Sequence, residues 1–155
     1  LEKVIHAAGG KTIRLEEVER IVDAPRAALV NEVLTALAER ALERALAAVG
    51  KAGEQGSDIL VFLKLLLHKV RAVLLMRYAK EFLESFKDSF SEEDFSLLKR
   101  LAEDKSAAVH INSKTLSVLL DAYIATPRAY IPQLPLELAL VDLLGATAVP
   151  QGESS

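Results

Sequence analysis

The chain has 155 residues, 51% of them hydrophobic, and a formal net charge of −3 at pH 7. A chain of this length can bury about 70% of its unfolded surface, so one substantial core is expected, and its slightly acidic charge excludes an overall attraction to nucleic acid or anionic lipid. The absence of cysteine excludes disulfides, thiol nucleophiles and zinc–thiolate sites, and it is consistent with a reducing compartment.

The first predicted elements form a short helical pair. Residues Leu1 to Ala8 are interpreted as a helix that Gly9 and Gly10 end. A second short helix follows, because apolar residues recur at helical spacing at Leu15, Val18, Ile21 and Val22. We expect Asp23-Ala24-Pro25 to interrupt this helix, since proline is disfavoured in a helix interior.

The next segment carries two apolar stripes that are out of phase. The first is about 140° wide at ~100° per residue and comprises Leu29, Val30, Val33, Leu34 and Leu37. The second is displaced by roughly 120° and comprises Ala41, Leu42, Ala45, Leu46 and Val49. One straight helix cannot bury both stripes against one partner, so a turn is predicted near Glu39-Arg40. A single long bent helix is the alternative, because neither glycine nor proline marks this turn.

The longest predicted helix follows a glycine-containing loop. Asp58 is the predicted cap of a helix from Ile59 to about Ser85, which would span ~40 Å. Its most apolar part is long enough for a membrane span, but the centre of that part contains Lys64, Lys69 and Arg71. Each such charge costs roughly 3 kcal/mol inside a membrane. We therefore predict a buried helix and no membrane span.

The remaining segments predict further helices. Ser91 with Asp94 resembles a capping box, Ser113 starts another helix, and Pro135 to Leu144 forms a short, largely apolar helix that Gly145 ends. No segment shows the β-branched alternation expected of strands. These patterns predict an all-α fold, an orthogonal bundle of about five to seven helices around one long central helix, preceded by the short helical pair.

The chain has no pattern of residues that indicates catalysis. His6, His68 and His110 are far apart, and none has a partner spaced to place two metal ligands on one helical face. The run Gly9-Gly10-Lys11-Thr12 lacks the spacing of a phosphate-binding loop. We predict no catalytic residue, no cofactor-binding residue and no metal ligand, and therefore no enzyme activity in this chain.

The long helix is basic, but its cations lie on two sides. One side of the helical wheel carries Lys64, His68 and Arg71, and the roughly opposite side carries Lys69, Arg77 and Lys80. A continuous stripe for a phosphate backbone is therefore not formed. We predict only weak, salt-sensitive binding to DNA.

Apolar residues on two opposite sides of the long helix exceed what one bundle needs. One side comprises Leu63, Leu66, Leu67, Val70, Val73 and Leu74. The other side could be enclosed by the bundle itself, or it could contact a neighbouring subunit. We predict that this second side of the long helix and the closing helix form a candidate subunit interface. Its residues are Val61, Leu65, Ala72, Leu75 and Met76 of the long helix and Leu134, Leu136 and Leu140 of the closing helix.

The order of these motifs carries a resemblance to a known family. The motifs are Ala7-Ala8-Gly9-Gly10-Lys11, Leu15-Glu16-Glu17-Val18-Glu19, an alanine-rich helix, a basic Leu-rich helix, and Leu134-Pro135-Leu136-Glu137-Leu138-Ala139-Leu140. Their order resembles the end of the lid domain and the third domain of the bacterial DNA polymerase III gamma/tau subunit. The sequence departs from the family at Arg14, where Ser or Thr is common, and at Glu39-Arg40, where Gly-Asp is common.

The resemblance implies a part of a clamp loader. Residues 1–22 would be the C-terminal remnant of the lid domain, residues 23–145 the helical collar domain, and residues 146–155 the start of a flexible linker, in a piece excised from a longer protein. The collar would hold ATPase modules in a ring that loads the sliding clamp in DNA replication.

The same resemblance implies the partners and cofactors of the protein. Implied partners are the delta and delta-prime subunits and further gamma/tau copies, in the cytoplasm. ATP and zinc would be bound by upstream domains, so no cofactor is expected in this fragment. The isolated domain is expected to be monomeric or weakly associated. The alternative is an unrelated helical adaptor or scaffold domain that binds partner proteins.

Overall fold

A computed structural model describes residues 4–6 and 12–145, with side chains for residues 25–145. Its described part begins with two short antiparallel strands, β1 (Val4–His6) and β2 (Thr12–Arg14), with Val4 opposite Arg14. The prediction of a helix from Leu1 to Ala8 is therefore wrong. Val4, Ile5, Thr12 and Ile13 are β-branched residues, which favour extended backbone, and this local preference decides the conformation.

Helix α1 (Leu15–Glu39) is continuous and contains Pro25. The predicted interruption at Asp23-Ala24-Pro25 is wrong, because a helix can continue through a proline at the cost of a backbone hydrogen bond and Pro25 is exposed to solvent. The short helix predicted from Leu15 and the helix predicted after Pro25 are therefore one continuous helix. The apolar stripe predicted there is confirmed, since Val30, Val33, Leu34 and Leu37 are fully buried.

The predicted turn after Glu39 is confirmed, and the alternative of one bent helix is wrong. Arg40 has a φ of 58°, a left-handed conformation that ends α1, and α2 (Leu42–Glu54) begins two residues later. Arg44 then ties the two helices together, donating to Glu32 at 2.9 Å and to Glu39 at 2.5 Å. The two out-of-phase stripes thus face the core from separate helices.

Helix α3 (Ile59–Tyr78) is the centre of the fold. The side chain of Asp58 accepts a hydrogen bond from the Leu60 amide, as its predicted capping role requires. Helices α1, α5 and α7 pack around α3, and the largest side chain of the core, Phe62, is fully buried. The predicted extension to about Ser85 is wrong, because Ala79 leaves the helical conformation with φ −141° and ψ 84°.

The second half of the chain consists of short helices. A 3₁₀ turn (Lys80–Phe82) leads into α4 (Leu83–Ser89), which is followed by α5 (Glu92–Glu103) and α6 (Lys105–His110). Ser91 caps α5 by accepting a hydrogen bond from the Asp94 amide. Arg77 fixes α5 and α6 to α3, since its guanidinium donates to the carbonyl of Ile111 at 2.6 Å and weakly to those of Leu101 and Ala102.

Two helices close the bundle. Helix α7 (Ser113–Ala125) is capped by Asn112, whose side chain accepts from the Thr115 amide. A 3₁₀ turn (Thr126–Arg128) leads to α8 (Leu134–Leu140), and a π-helical turn (Val141–Gly145) extends it. The all-α fold class is confirmed for the described residues apart from the short hairpin. The proposed linker, residues 146–155, lies outside the described residues.

Candidate subunit interface

Half of the predicted interface residues lie in the core of the chain itself. Ala72 and Met76 of α3 are 0% and 3% exposed, and Leu136 and Leu140 of α8 are fully buried. The assignment of these residues to a subunit interface is therefore corrected. The physical reason is that α1, α5 and α7 surround α3, while α8 packs against α2 and α7, so these side chains have no free surface.

The other predicted residues retain some surface. Val61 and Leu134 are 36% and 37% exposed, and Leu65 and Leu75 are half-buried. Val61, Leu65 and Leu75 lie on α3, whereas Leu134 lies at the start of α8. Leu134 belongs to a larger exposed apolar surface at α8.

That surface is the outer side of α8. Ile131, Leu138 and Val141 are 44%, 59% and 44% exposed, and with Leu134 they recur at a spacing of three or four residues. Leu134, Leu138 and Val141 lie in one row along α8 and its π-helical extension, and Ile131 lies in the bend that precedes α8. We call these four residues the α8 row. Ile131, Leu138 and Val141 are absent from the candidate interface that the sequence predicts. The available signal was the scarcity of charge in this helix, where only Glu137 and Asp142 are ionisable, so apolar residues occur on all its faces.

A groove lies beside the α8 row. It has a volume of about 470 Å³ and is lined from α7 by Val118, Asp121, Ala122 and Ala125, and from α8 and its extension by Leu134, Pro135, Leu138, Ala139 and Asp142. Both ionisable groups in it are carboxylates. The groove and the α8 row together form an apolar surface with an acidic edge, which we call the α7/α8 surface.

The position of α8 is set by close contacts with α2. Gly53 near the end of α2 leaves room for the Gln133 side chain at the start of α8, because a Cβ at position 53 would overlap that amide. At the other end, Gly145 lies against Leu42 of α2, where an added Cβ would come within 3.4 Å of a Leu42 methyl group. These contacts hold the inner side of α8 on α2 and leave the α8 row outward.

A second groove separates α3 from α7. It has a volume of about 350 Å³ and is lined by Lys64, Leu67, His68, Arg71, Leu116, Leu120 and Tyr123. The predicted placement of Lys64, His68 and Arg71 on one side of the helix is confirmed, since all three line this groove. None of these lining residues is acidic. Helix α7 is therefore flanked by a groove with a basic edge and a groove with an acidic edge.

Among the described residues, no cluster of three or more His, Cys, Asp or Glu side chains could hold a metal ion. His68 lies at the α3–α7 groove, and His110 is half-buried at the end of α6, where burial and then the charge of Arg40 lower its pKa. His6 lies in β1, outside the residues with described side chains. Among the described residues, no helix has the length and apolarity needed to cross a membrane.

Comparison with known proteins identifies one family. Residues 13–155 match the family model of DNA polymerase III subunits gamma and tau domain III. No curated protein and no solved structure matches the chain. The family match begins inside the β-hairpin and extends through all eight described α-helices.

Proposed function

The chain belongs to the family of DNA polymerase III subunits gamma and tau, as their domain III, and from this membership we propose that it is a collar domain holding clamp-loader subunits together. The family places the domain in a clamp-loader subunit of the DNA replication machinery and sets aside an unrelated helical adaptor. The observation that carries the proposal is the α7/α8 surface, where the four apolar side chains of the α8 row are exposed to water.

The energetics of the α8 row favour contact with another protein. Burying one Leu, Ile or Val side chain contributes about 1.5–3 kcal/mol, and contiguous exposed apolar surface with a polar edge is characteristic of interaction sites. Asp121 and Asp142 supply that edge. A neighbouring subunit with an apolar centre and basic residues around it would match this surface.

The size of the surface bears on how strongly the isolated domain associates. A stable interface needs roughly 800 Å² from each partner, and the α8 row offers four partly exposed side chains toward that area. In the complete clamp loader, contacts by several domains of each subunit act together, and tethering raises the effective concentration of every contact. We therefore propose that the isolated domain is monomeric or weakly associated and that the whole subunit assembles firmly.

The proposed role is structural. The domain itself would carry out no catalysis and bind neither ATP nor zinc, in keeping with the missing ligand and nucleophile patterns of its sequence. Its partners would be the delta and delta-prime subunits and further gamma/tau copies, in the cytoplasm. Direct DNA binding would be weak, because Lys69 and Arg77 are occupied within the fold and do not add to the cations at the α3–α7 groove.

Replacement of Leu138 by Asp tests the proposal. The substitution is made both in this chain and in the complete gamma/tau subunit. The chain should keep its melting temperature, because Leu138 is 59% exposed, whereas assembly with the other clamp-loader subunits should weaken by at least ~10-fold. Such a loss corresponds to about 1.4 kcal/mol per interface. Assembly is measured by light scattering coupled to size-exclusion chromatography.

Val109→Asp is the matched control. Val109 is 66% exposed on α6, which packs against α1 and α5 and not against α7 or α8 in the principal contacts of the bundle. This variant should assemble like the unmodified subunit. Unchanged assembly of Leu138→Asp, or equal losses in both variants, would show that the α7/α8 surface is not the subunit interface.

A further inference from the structure

The groove between α3 and α7 has the features of a second docking site. We propose that it binds an acidic amphipathic helix of a partner protein, a role beyond subunit association through the α7/α8 surface. Three observations support this: an apolar floor, cations along one edge that have no partner among the described side chains, and a volume of about 350 Å³, which lies within the range of ligand-binding clefts.

The floor of the groove is apolar and accessible. Leu67 of α3 and Leu116 and Tyr123 of α7 are half-buried, and Leu120 of α7 is 46% exposed. Leu116, Leu120 and Tyr123 are spaced by four and three residues, so they lie on the same side of α7. A partner helix with apolar side chains at the same spacing could pack them against these three residues, as in other helix-in-groove complexes.

The edge of the groove is cationic along α3. Lys64 and Arg71 are both exposed, and seven residues of helix separate them by about 10 Å. Neither makes a hydrogen bond or an ion pair within the described residues. His68 lies between them on the same side. A partner helix with carboxylates two turns apart could pair with both cations while its apolar side covers Leu120.

A neighbouring groove shows why the α3–α7 side is favoured. On the other side of the same cations, a groove of about 530 Å³ is lined by Ala27, Leu65, His68, Lys69, Arg71, Phe86, Ser89, Phe90, Ser91 and Asp94. Asp94 adds a negative charge to that groove, and Lys69 is already paired with it. An acidic partner would therefore be attracted less strongly on that side than on the α3–α7 side, where no lining residue is acidic.

The apolar floor also favours a protein over a nucleic acid. Phosphate groups would pair with Lys64 and Arg71, but a duplex backbone offers no apolar surface to cover Leu67, Leu116 and Leu120. Burying those side chains needs a partner with apolar side chains of its own. The chemistry that matches the whole groove is therefore an amphipathic helix with Leu or Phe on one side and Glu or Asp beside it.

The test uses a designed, fluorescently labelled peptide of about 15 residues, long enough to form a helix on binding. It carries Leu at helical spacing and Glu at the flanking positions. Anisotropy titration with the 155-residue chain should show saturable binding that weakens with salt. The double variant Lys64→Glu/Arg71→Glu and, separately, Leu120→Asp should each weaken binding by at least ~10-fold.

Matched controls test whether the peptide binds in this groove. The double variant Lys99→Glu/Arg100→Glu changes the same charge at exposed positions of α5 and should bind like the unmodified chain. A peptide with Lys in place of Glu should bind at least ~10-fold more weakly. Circular dichroism of each variant verifies folding, and Leu67→Met, which conserves volume, should retain binding.

Several outcomes would overturn the proposal. They are no saturable binding, equal loss in the α5 control, or a DNA duplex that binds more tightly than the peptide and is lost with the Lys64 and Arg71 variants. A homodimer that dissociates in those variants would assign the groove to a second copy of the chain. Assembly of the complete subunit should not respond to Lys64→Glu/Arg71→Glu, so failure here is distinguishable from failure of the proposed collar function.

Discussion

Lys69 of α3 and Asp94 of α5 form a partly buried ion pair, with 3.1 Å between the ammonium nitrogen and a carboxylate oxygen. Asn31 of α1 completes a closed network, since its Oδ1 accepts from Lys69 at 2.5 Å and its Nδ2 donates to Asp94 at 2.9 Å. Lys69 is 5% exposed. Because a buried charge requires pairing and hydrogen bonds, this network fixes the relative positions of three helices.

Removing one partner of this pair should be strongly destabilising. We expect Asp94→Ala to lower the free energy of unfolding by about 3–5 kcal/mol, because Lys69 is left buried without its counterion. Asp88→Ala, at an exposed position of α4, should stay within about 0.5 kcal/mol of the unmodified chain. Urea denaturation followed by circular dichroism measures both. Equal stability of the two variants would show that the ion pair contributes little.

The same pair should make stability depend on pH. Burial acts to raise the pKa of Asp94, but hydrogen bonds from Asn31 and Lys69 and the charge of Lys69 outweigh it, so the pKa lies below its ordinary value. A carboxylate whose pKa is lowered in the folded state stabilises the fold, and this stabilisation is complete above its unfolded-state pKa of about 3.9. That contribution is lost as the pH falls through the lowered folded-state value.

Comparison with Asp94→Asn isolates this dependence. The difference in unfolding free energy between the unmodified chain and this variant should be largest above about pH 5 and should shrink toward pH 2. Urea unfolding at a series of pH values measures it. A difference that stays constant across this range would mean that Asp94 titrates alike in the folded and unfolded chain.

The turn between α1 and α2 should accept glycine with a gain in stability. Arg40 has a φ of 58°, and a residue with a side chain pays about 1 kcal/mol for this left-handed conformation. Arg40→Gly should therefore raise the melting temperature by about 2–4 °C for a chain of this size. Lys51→Gly, in α2 and exposed, should instead lower stability by about 1 kcal/mol. A lower melting temperature for Arg40→Gly would refute the strain assigned to this turn.

The same substitution should also change the titration of His110. Burial is the main cause that lowers the pKa of His110, and the positive charge of Arg40 lowers it further. Without that charge, we expect the pKa of His110 in Arg40→Gly to rise but to remain below its ordinary value, since the burial remains. An NMR titration of the imidazole resonances measures the change. An unaltered or lower pKa would show that the two side chains do not interact.

A pair of substitutions two residues apart distinguishes core from surface on α3. Met76 is 3% exposed and Tyr78 is 78% exposed. Met76→Asp should unfold the chain or cost more than about 4 kcal/mol, because it buries an unpaired carboxylate and removes an apolar contact. Tyr78→Asp should remain folded. If thermal denaturation shows that the Met76→Asp chain is stable, Met76 is not a core residue and this side of α3 is again a candidate for the subunit interface.

Local interactions account for the features that the sequence predicted correctly. The caps Asp58 and Ser91 bond to amides two and three residues away, so the information for each helix start lies within one turn. The turn after Glu39 follows from a shift of phase between two apolar stripes, which needs no knowledge of distant residues. The hairpin of β1 and β2 is also favoured locally by β-branched residues, although the sequence prediction placed Val4 and Ile5 in a helix.

Features that depend on distant residues were decided only by the tertiary structure. The sequence established that α8 is apolar on all sides, but packing against α2 and α7 buries Leu136 and Leu140 and exposes Leu138 and Val141. A periodic pattern determines which side chains share a face, whereas the neighbours that cover that face determine whether it is core or interface. For the same reason the pairing of Lys69 with Asp94, 25 residues apart, could not be predicted from helical spacing.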